Sequence, residues 1–236
     1  MSAPDADASL EPPLEAFDAA RRLAAEALGT AWLIVAVVGS GIMAQRLSGG
    51  NDGVALLANA IATGAALFVL ITIFGPLSGA HFNPVVSLAF ALRKALSWPL
   101  AAGYAGVQTI GAILGVWATH AMFAEPVIQL STKAREGAGQ AFAELLASFG
   151  LLATIFGAVR FRPQVTPAAV ALYITGAYWF TASTSFANPA VTLARSLSDT
   201  FAGIAPASAP AFVVSQLAGA VTAVGVFGWL LRPRTA

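Results

Sequence analysis

The sequence predicts an all-α membrane protein with six transmembrane helices and two re-entrant half-helices, arranged as an inverted repeat. Hydrophobic residues make up 58% of the 236 residues and charged residues only 10%, whereas a soluble domain carries about a quarter charged residues. An Asn-Pro dipeptide also occurs in each half of the chain, as Asn83-Pro84 and Asn188-Pro189. Because Asn favours the N-cap and Pro the first helical position, each dipeptide predicts the start of a short helix.

Segment 1–20 is acidic and contains proline, and it lacks the basic start and short apolar core of a signal peptide. We therefore expect an attached cytoplasmic tail that precedes a single membrane domain, 21–236. The chain contains no cysteine, which excludes disulfides and thiolate chemistry. Its net charge of +1 predicts no polyanionic partner such as a nucleic acid.

Six stretches have the composition and the length, about 20 residues, of membrane-spanning helices. They are 23–44, 54–75, 98–122, 139–159, 166–185 and 208–231. Two further apolar stretches, 83–92 and 188–197, are too short to cross a bilayer. Non-helical backbone at membrane depth is tolerated only where protein buries it or water solvates it. We therefore expect both short stretches to enter the membrane, form half-helices and face a cavity.

The distribution of basic residues predicts a cytoplasmic N-terminus and C-terminus. In this orientation the inside receives Arg21, Arg22, Arg93, Lys94, Arg160, Arg162, Arg232 and Arg234. The outside receives Arg46, Lys133, Arg135 and Arg195. The two half-helices then enter from opposite sides, so the halves, about 21–125 and 138–232, are inverted relative to one another.

Buried polar residues also recur in the two halves. Glu26 and Glu144 lie near the starts of the first and fourth spans, and Gln108 and Gln216 lie in the third and sixth, each followed at the third and fourth positions by Gly-Ala. Small residues of this kind allow close packing of helices in lipid. Ionisable groups inside spans are candidates for function, so the two glutamates are either scaffold residues or proton-coupling carboxylates.

The two Asn-Pro elements, the six spans, the paired half-helices and the sequence SGAHFNP at 78–84 resemble the aquaporin, or major intrinsic protein, family. The resemblance covers nearly the whole chain after the tail, and it departs from the family at Val85, where Ala is usual. It implies an aquaporin-like right-handed bundle that assembles as a homotetramer, with one pore per subunit, in the inner (cytoplasmic) membrane. It also implies a passive channel for water and small neutral solutes, without cofactor or metal site.

At the pore centre, the side-chain oxygens of Asn83 and Asn188 are expected to cap the half-helices and to leave their amide NH2 groups free for a solute. Two facing helix N-termini place positive charge there, which repels protons and metal cations. Backbone carbonyls of 78–82 and 184–187 would serve as acceptors along the wall.

The resemblance assigns structural roles to the other buried polar residues. Glu26 and Glu144 each accept hydrogen bonds from the re-entrant loop of their own half. Gln108 and Gln216 are buried hydrogen-bonding residues, and the side chain of His81 braces its loop. No catalytic residues are expected, since His81 and His120 are the only histidines and no nucleophile and base are apparent.

Four positions carried over from the family by spacing form the selectivity filter: Thr63, Gly176, Ser185 and Val191. Water-selective members have a large aromatic residue, a histidine and an arginine in such a filter. Because all four side chains here are small, the sequence predicts a wide constriction suited to solutes larger than water.

Arg195 follows Val191 by one helical turn, on the same face and further outward. It either guards the outer vestibule or ends its helix as an ion pair with Asp199.

Glycerol-like polyols are the first expected solutes. The stretch 192–204 is also similar to bacterial members linked to arsenic handling, which suggests undissociated arsenite and related metalloid acids. A mainly water-selective pore is the alternative. A coupled secondary transporter, which also uses inverted repeats and broken helices, and a purely structural membrane protein remain further alternatives.

Overall fold

The computed structural model describes residues 17–232, in which eight α-helices and no strand occur. The helices are α1 (Ala19–Leu47), α2 (Asp52–Ser78), α3 (Pro84–Leu92), α4 (Trp98–Phe123), α5 (Ala138–Phe161), α6 (Thr166–Phe180), α7 (Pro189–Arg195) and α8 (Ala209–Leu230). Most of the predicted tail, 1–16, lies outside the described residues. The first helix begins at Ala19, where the Asp18 carboxylate accepts a hydrogen bond from the Arg21 backbone N–H at 2.8 Å.

The predicted spans are confirmed, with one shortened. Within residues 17–232, five helices are long and apolar enough to cross a membrane: α1, α2, α4, α5 and α8. Helix α6 has 15 residues, about 22 Å of helix, and the 3₁₀ turn Pro163–Val165 extends it at its start. The prediction of a fifth span as far as 185 was wrong, because Thr184 and Ser185 have φ angles of 61° and 50°, which no right-handed helix contains.

Both predicted half-helices are confirmed, and each begins at its proline. The Asn83 Oδ1 accepts a hydrogen bond from the Val85 N–H at 3.0 Å. The Asn188 Oδ1 accepts from Ala190 N–H at 3.0 Å and from Val191 N–H at 3.2 Å. These bonds satisfy N–H groups that have no acceptor within the helix itself.

The long helices form two groups of three. Helix α1 packs against α2 and α4, and α5 packs against α6 and α8, while α2 and α6 join the groups. At two equivalent crossings the backbones touch: a Cβ at Gly111 would overlap the Ala27 carbonyl oxygen, and one at Gly219 would overlap that of Leu145. The Gly-Ala pairs therefore mark close helix contacts in both halves, as predicted.

Candidate functional site

A cavity of about 120 Å³ is lined by residues of both halves. A cavity needs about 10–15 Å³ of this volume to hold one water molecule, so this cavity has room for several water molecules. One wall is largely apolar and consists of residues spaced four apart on four helices. They are Leu33 and Val37 on α1, Thr63, Leu67 and Ile71 on α2, Leu151, Ile155 and Val159 on α5, and Thr166, Val170, Ile174 and Tyr178 on α6. The α6 stripe alone extends about 18 Å.

The opposite wall consists of the two loops that precede the half-helices, and both have the same backbone conformation. In each loop φ is positive at the fourth, third and first residues before the asparagine. The angles are 90°, 48° and 47° at Gly79, Ala80 and Phe82, and 61°, 50° and 47° at Thr184, Ser185 and Ala187. Because L-residues with side chains rarely adopt this region, five strained residues are held in place by their surroundings.

This conformation leaves backbone acceptors available. Residues 79–82 and 185–187 line the cavity, and in the described part of the chain the carbonyls of 79–81 and 184–186 accept no hydrogen bond. An unpaired polar group is costly away from water. The loops thus present a row of acceptors to whatever fills the cavity.

The two asparagines connect the halves directly. The Asn83 Nδ2 donates to the Ala187 carbonyl at 2.7 Å, and the Asn188 Nδ2 donates to the Phe82 carbonyl at 2.8 Å. The expectation of two entirely free NH2 groups was therefore wrong, because each group uses one N–H in this exchange. Each amide has a second N–H, and both asparagines line the cavity.

Glu26 is fully buried and holds the first loop. Its carboxylate accepts hydrogen bonds from the backbone N–H groups of His81 and Phe82 at 2.9 and 2.7 Å. It also accepts from Ser78 Oγ at 2.6 Å and Gln108 Nε2 at 2.8 Å. Four donors compensate the desolvation of this carboxylate, and the residue does not line the cavity.

Glu144 occupies the equivalent position in the second half. It accepts hydrogen bonds from Phe186 N–H and Ala187 N–H, both at 2.8 Å, and from Gln216 Nε2 at 2.6 Å. It too is fully buried and absent from the cavity wall. The geometry of both glutamates fits loop scaffolds rather than groups that exchange protons with a solute.

Each glutamine extends this network to its half-helix. Gln108 Nε2 also donates to Ser87 Oγ at 3.2 Å, and Ser87 Oγ donates to the Asn83 carbonyl at 3.3 Å. Gln216 and Thr192 make the same two bonds in the second half, at 2.9 and 2.8 Å. The sequence interpretation missed both hydroxyl residues, Ser87 and Thr192. The signal that could have found them is that a hydroxyl residue lies four positions after the asparagine in each half.

His81 contacts its loop on several sides. Its Nδ1 lies 3.1 Å from Ser87 Oγ. Its ring packs against those of Phe90 and Tyr104, with centroids 4.7 and 5.4 Å apart. Together with the bond from its backbone N–H to Glu26, these contacts fix the loop around the residue.

At the end of the cavity that the sequence predicts to be the outer one, Thr63, Ser185 and Val191 line the cavity but Gly176 does not. A Cβ at Gly176 would meet only Phe180, one turn along its own helix, at 3.6 Å. The fifth-span residue at the cavity is Tyr178, whose hydroxyl lies 3.2 Å from Thr63 Oγ1.

The assignment of Gly176 was wrong, because residues two positions apart on an α-helix point about 200° apart around the helix axis. The sequence interpretation counted twelve residues back from Asn188 to Gly176, whereas Tyr178, which lines the cavity, lies ten residues back. The prediction of a wide constriction lined only by small side chains was also wrong, because the buried side chain of Tyr178 lines the cavity there.

Arg195 lines the cavity and is only 2% exposed. Its guanidinium carbon lies 3.4 Å from the centroid of the Phe186 ring, and its Nε donates to the Ala202 carbonyl. The alternative of an ion pair with Asp199 was wrong: that carboxylate accepts from the backbone N–H and hydroxyl of Thr132, at 2.8 and 3.0 Å. Arg195 thus faces the cavity, and its guanidinium does not form the ion pair with Asp199.

Comparisons with known proteins agree with this architecture. The family model described as Major intrinsic protein matches residues 14–181. The chain is 55% identical over 220 residues to aquaglyceroporin AqpS of Rhizobium meliloti (strain 1021), covering 93% of this chain and 94% of that protein. It is 34% identical over 150 residues to aquaporin NIP6-1 of Arabidopsis thaliana, covering 63% of this chain and 48% of that protein.

Among solved structures, the X-ray structure of the aquaglyceroporin from Plasmodium falciparum has the same fold, with a TM-score of 0.76. The match covers 92% of this chain and 98% of that chain, at 21% sequence identity.

Proposed function

The chain belongs to the major intrinsic protein family, and we propose that the cavity between its halves is a passive pore. The protein is a multi-pass membrane channel for water and small neutral solutes such as glycerol, and not an enzyme. The observation that carries the pore assignment is the pair of hydrogen bonds from Asn83 Nδ2 to the Ala187 carbonyl and from Asn188 Nδ2 to the Phe82 carbonyl. It supports two amide donors beside the free carbonyls of both loops.

Selection for neutral solutes follows from the two different walls. A solute oxygen accepts from the free N–H of Asn83 or Asn188, and its own hydroxyl donates to a carbonyl of 79–81 or 184–186. These bonds compensate the loss of water on that side. The apolar wall opposite offers nothing to an ion, which loses far more solvation free energy than a neutral molecule.

Exclusion of cations is supported by the two half-helices, α3 and α7, whose N-termini meet at the centre of the cavity. Each helix end carries the equivalent of about half a positive charge. Half-helix dipoles of this kind raise the barrier for protons and metal cations in other pores.

The outer constriction is formed by Thr63, Tyr178, Ser185, Val191 and Arg195. A polyol finds donors and acceptors on one side, in the Thr63 and Tyr178 hydroxyls. Val191 gives an apolar surface for its carbon atoms. Undissociated arsenite and boric acid are compact neutral hydroxyl compounds and can use the same contacts.

A mainly water-selective pore is the second candidate. Tyr178 and Arg195 favour it, because a buried aromatic side chain and a guanidinium both narrow the constriction. A coupled transporter is less well supported, since neither Glu26 nor Glu144 lines the cavity.

Assembly and placement belong to the same proposal. We expect a homotetramer with one pore per subunit, in the inner membrane, with cytoplasmic termini and a tail that is dispensable for conduction. The orientation is supported by the excess of arginine and lysine at the end of the bundle to which both termini belong.

The experiment is stopped-flow light scattering on proteoliposomes, with water, glycerol and arsenite tested on one preparation. Fast glycerol entry with a low activation energy supports the neutral-solute pore. Fast water flux with negligible glycerol entry makes the water-selective pore the better assignment. Entry that saturates and depends on an ion gradient revives the coupled transporter.

A further inference from the structure

Beyond conduction, we propose that the outer end of the cavity binds a small carboxylate-type monoanion on Arg195, with Arg135 and Lys133 supplying further positive charge. An anion held there blocks the entry of neutral solutes from that side. The structure supports this in three ways: unpaired donors on a buried guanidinium, neighbouring cations, and no ion pair between these cations and an acid of the described residues.

The donors belong to Arg195. A buried arginine is normally paired or fully hydrogen-bonded. Here the side chain is 98% buried, and its single hydrogen bond among the described residues is from Nε to Ala202. The two Nη atoms therefore keep four N–H groups without a protein acceptor, on a residue that lines the cavity.

A second guanidinium shares the same aromatic ring. The carbon of Arg135 lies 4.9 Å from the Phe186 centroid, while that of Arg195 lies 3.4 Å from it. Arg135 is held by bonds from Nε to Gly203 O at 2.9 Å and from Nη1 to Ser183 O at 3.3 Å. Both guanidinium groups carry positive charge near one ring, which makes the electrostatic potential there favourable to an anion.

Lys133 adds a third cation. Its Nζ donates to the Phe201 carbonyl at 2.9 Å and lies 4.9 Å from the Phe201 ring centroid. Burial lowers the pKa of Lys133 below its usual value, and the charges of Arg135 and Arg195 lower it further. The three side chains therefore influence one another electrostatically across the outer mouth.

The carboxylates near this end are engaged elsewhere or exposed. Asp199 accepts from Thr132, Glu125 pairs with Arg46 at 2.8 Å, and Glu144 is occupied by loop N–H groups. The remaining acids are Asp52 and Glu136, both exposed. Within residues 17–232, none of these acids forms an ion pair with Arg195, Arg135 or Lys133.

The geometry favours a small monoanion with two oxygen atoms. The paired Nη groups of arginine match a carboxylate in a bidentate arrangement. Deeper entry is opposed, because beyond the Tyr178–Thr63 pair the anion leaves the guanidinium and loses water beside the apolar wall, a cost that the partial charges of the half-helix N-termini offset only in part. The bound anion therefore acts as a plug rather than a permeant.

The test uses proteoliposomes loaded and bathed with equal sodium formate, followed by a glycerol gradient. A bulky sulfonate, sodium 2-(N-morpholino)ethanesulfonate, at the same ionic strength is the control salt. We expect formate to inhibit glycerol entry saturably, with a midpoint at least tenfold higher in Arg195→Gln and a few-fold higher in Arg135→Gln. The matched control is Arg93→Gln, which removes an arginine that stacks on Phe156 at 4.3 Å, at the opposite end of the bundle, and leaves the midpoint unchanged.

Two results overturn the proposal: equal inhibition by both salts, or an unchanged midpoint in Arg195→Gln. If Arg195→Gln does not fold, Arg195→Lys retains the charge without the paired donors, and its midpoint must still rise. The melting temperature of the detergent-solubilised tetramer or monomer tests binding without conduction. Formate must raise that temperature for the wild type and for Arg93→Gln, and not for Arg195→Gln, even if the channel passes no glycerol. Failure of the anion site is therefore distinguishable from failure of the proposed function.

Discussion

Replacing Glu144 by glutamine tests whether the buried carboxylates hold the pore loops or couple solute movement to protons. The carboxylate accepts bonds from Phe186 N–H, Ala187 N–H and Gln216 Nε2. A glutamine keeps one acceptor oxygen but turns an NH2 group toward a donor, which leaves at least one buried donor unpaired. Each such donor costs about 1–3 kcal/mol, and the bonds that remain lose the extra strength of a charged acceptor.

The equivalent variant Glu26→Gln should cost more, because four donors rather than three depend on that carboxylate. Both variants are expected to lower the melting temperature and to reduce water and glycerol flux together, since the loop carbonyls and the asparagines lose their positions. The exposed pair of Arg46 with Glu125 provides the control Glu125→Gln, for which a change within about 1 kcal/mol is expected.

The assay combines thermal unfolding in detergent with stopped-flow flux in proteoliposomes. Unchanged melting temperature and unchanged flux in Glu144→Gln would refute the scaffold role. If the melting temperature is unchanged and only a pH-dependent component of transport is lost, Glu144 is instead a proton-coupling carboxylate.

Three further substitutions test the constriction and the packing. Tyr178→Ala should widen the constriction and raise the ratio of glycerol to water permeability several-fold, while Gly176→Ala should leave that ratio unchanged. The ratio is measured by stopped-flow light scattering, and a ratio that changes with position 176 instead of 178 would contradict the cavity geometry. Val191→Arg should reduce glycerol flux more than water flux in the same assay, and an equal or absent loss means that Val191 lies outside the constriction. Gly219→Ala should lower stability by about 1–3 kcal/mol through overlap with the Leu145 carbonyl, measured as melting temperature against Gly225→Ala, where no atom lies within 4 Å.

The features that sequence predicted well are local or repeated. The caps of α3 and α7 follow from residue preferences at adjacent positions, and the long spans follow from apolar composition. The paired Glu and Gln residues were recognisable because the same spacing occurs twice. Local rules suffice here because each feature depends on a few neighbouring residues or on membrane thickness.

The features that were missed depend on contacts across the fold. The hydrogen bonds from Asn83 to Ala187 and from Asn188 to Phe82 join residues 104 and 106 positions apart in the sequence, so no local rule indicates which amide N–H remains free. Tyr178 and not Gly176 lines the cavity, because the rotation of helix α6 about its axis, and not a residue count, decides which side chain faces it. The direction of Arg195 was open from sequence because its stacking on Phe186 requires the folded loop.

The most direct test of the pore assignment is the activation energy of glycerol and water permeation in proteoliposomes of the wild type and of Asn188→Asp. The wild type should conduct with a low activation energy and exclude sodium ions. The variant, which places a carboxylate at the pore centre, should lose neutral flux or admit cations. Wild-type flux no faster than that of protein-free liposomes, or flux indifferent to the substitution, would contradict a pore centred on the two asparagines.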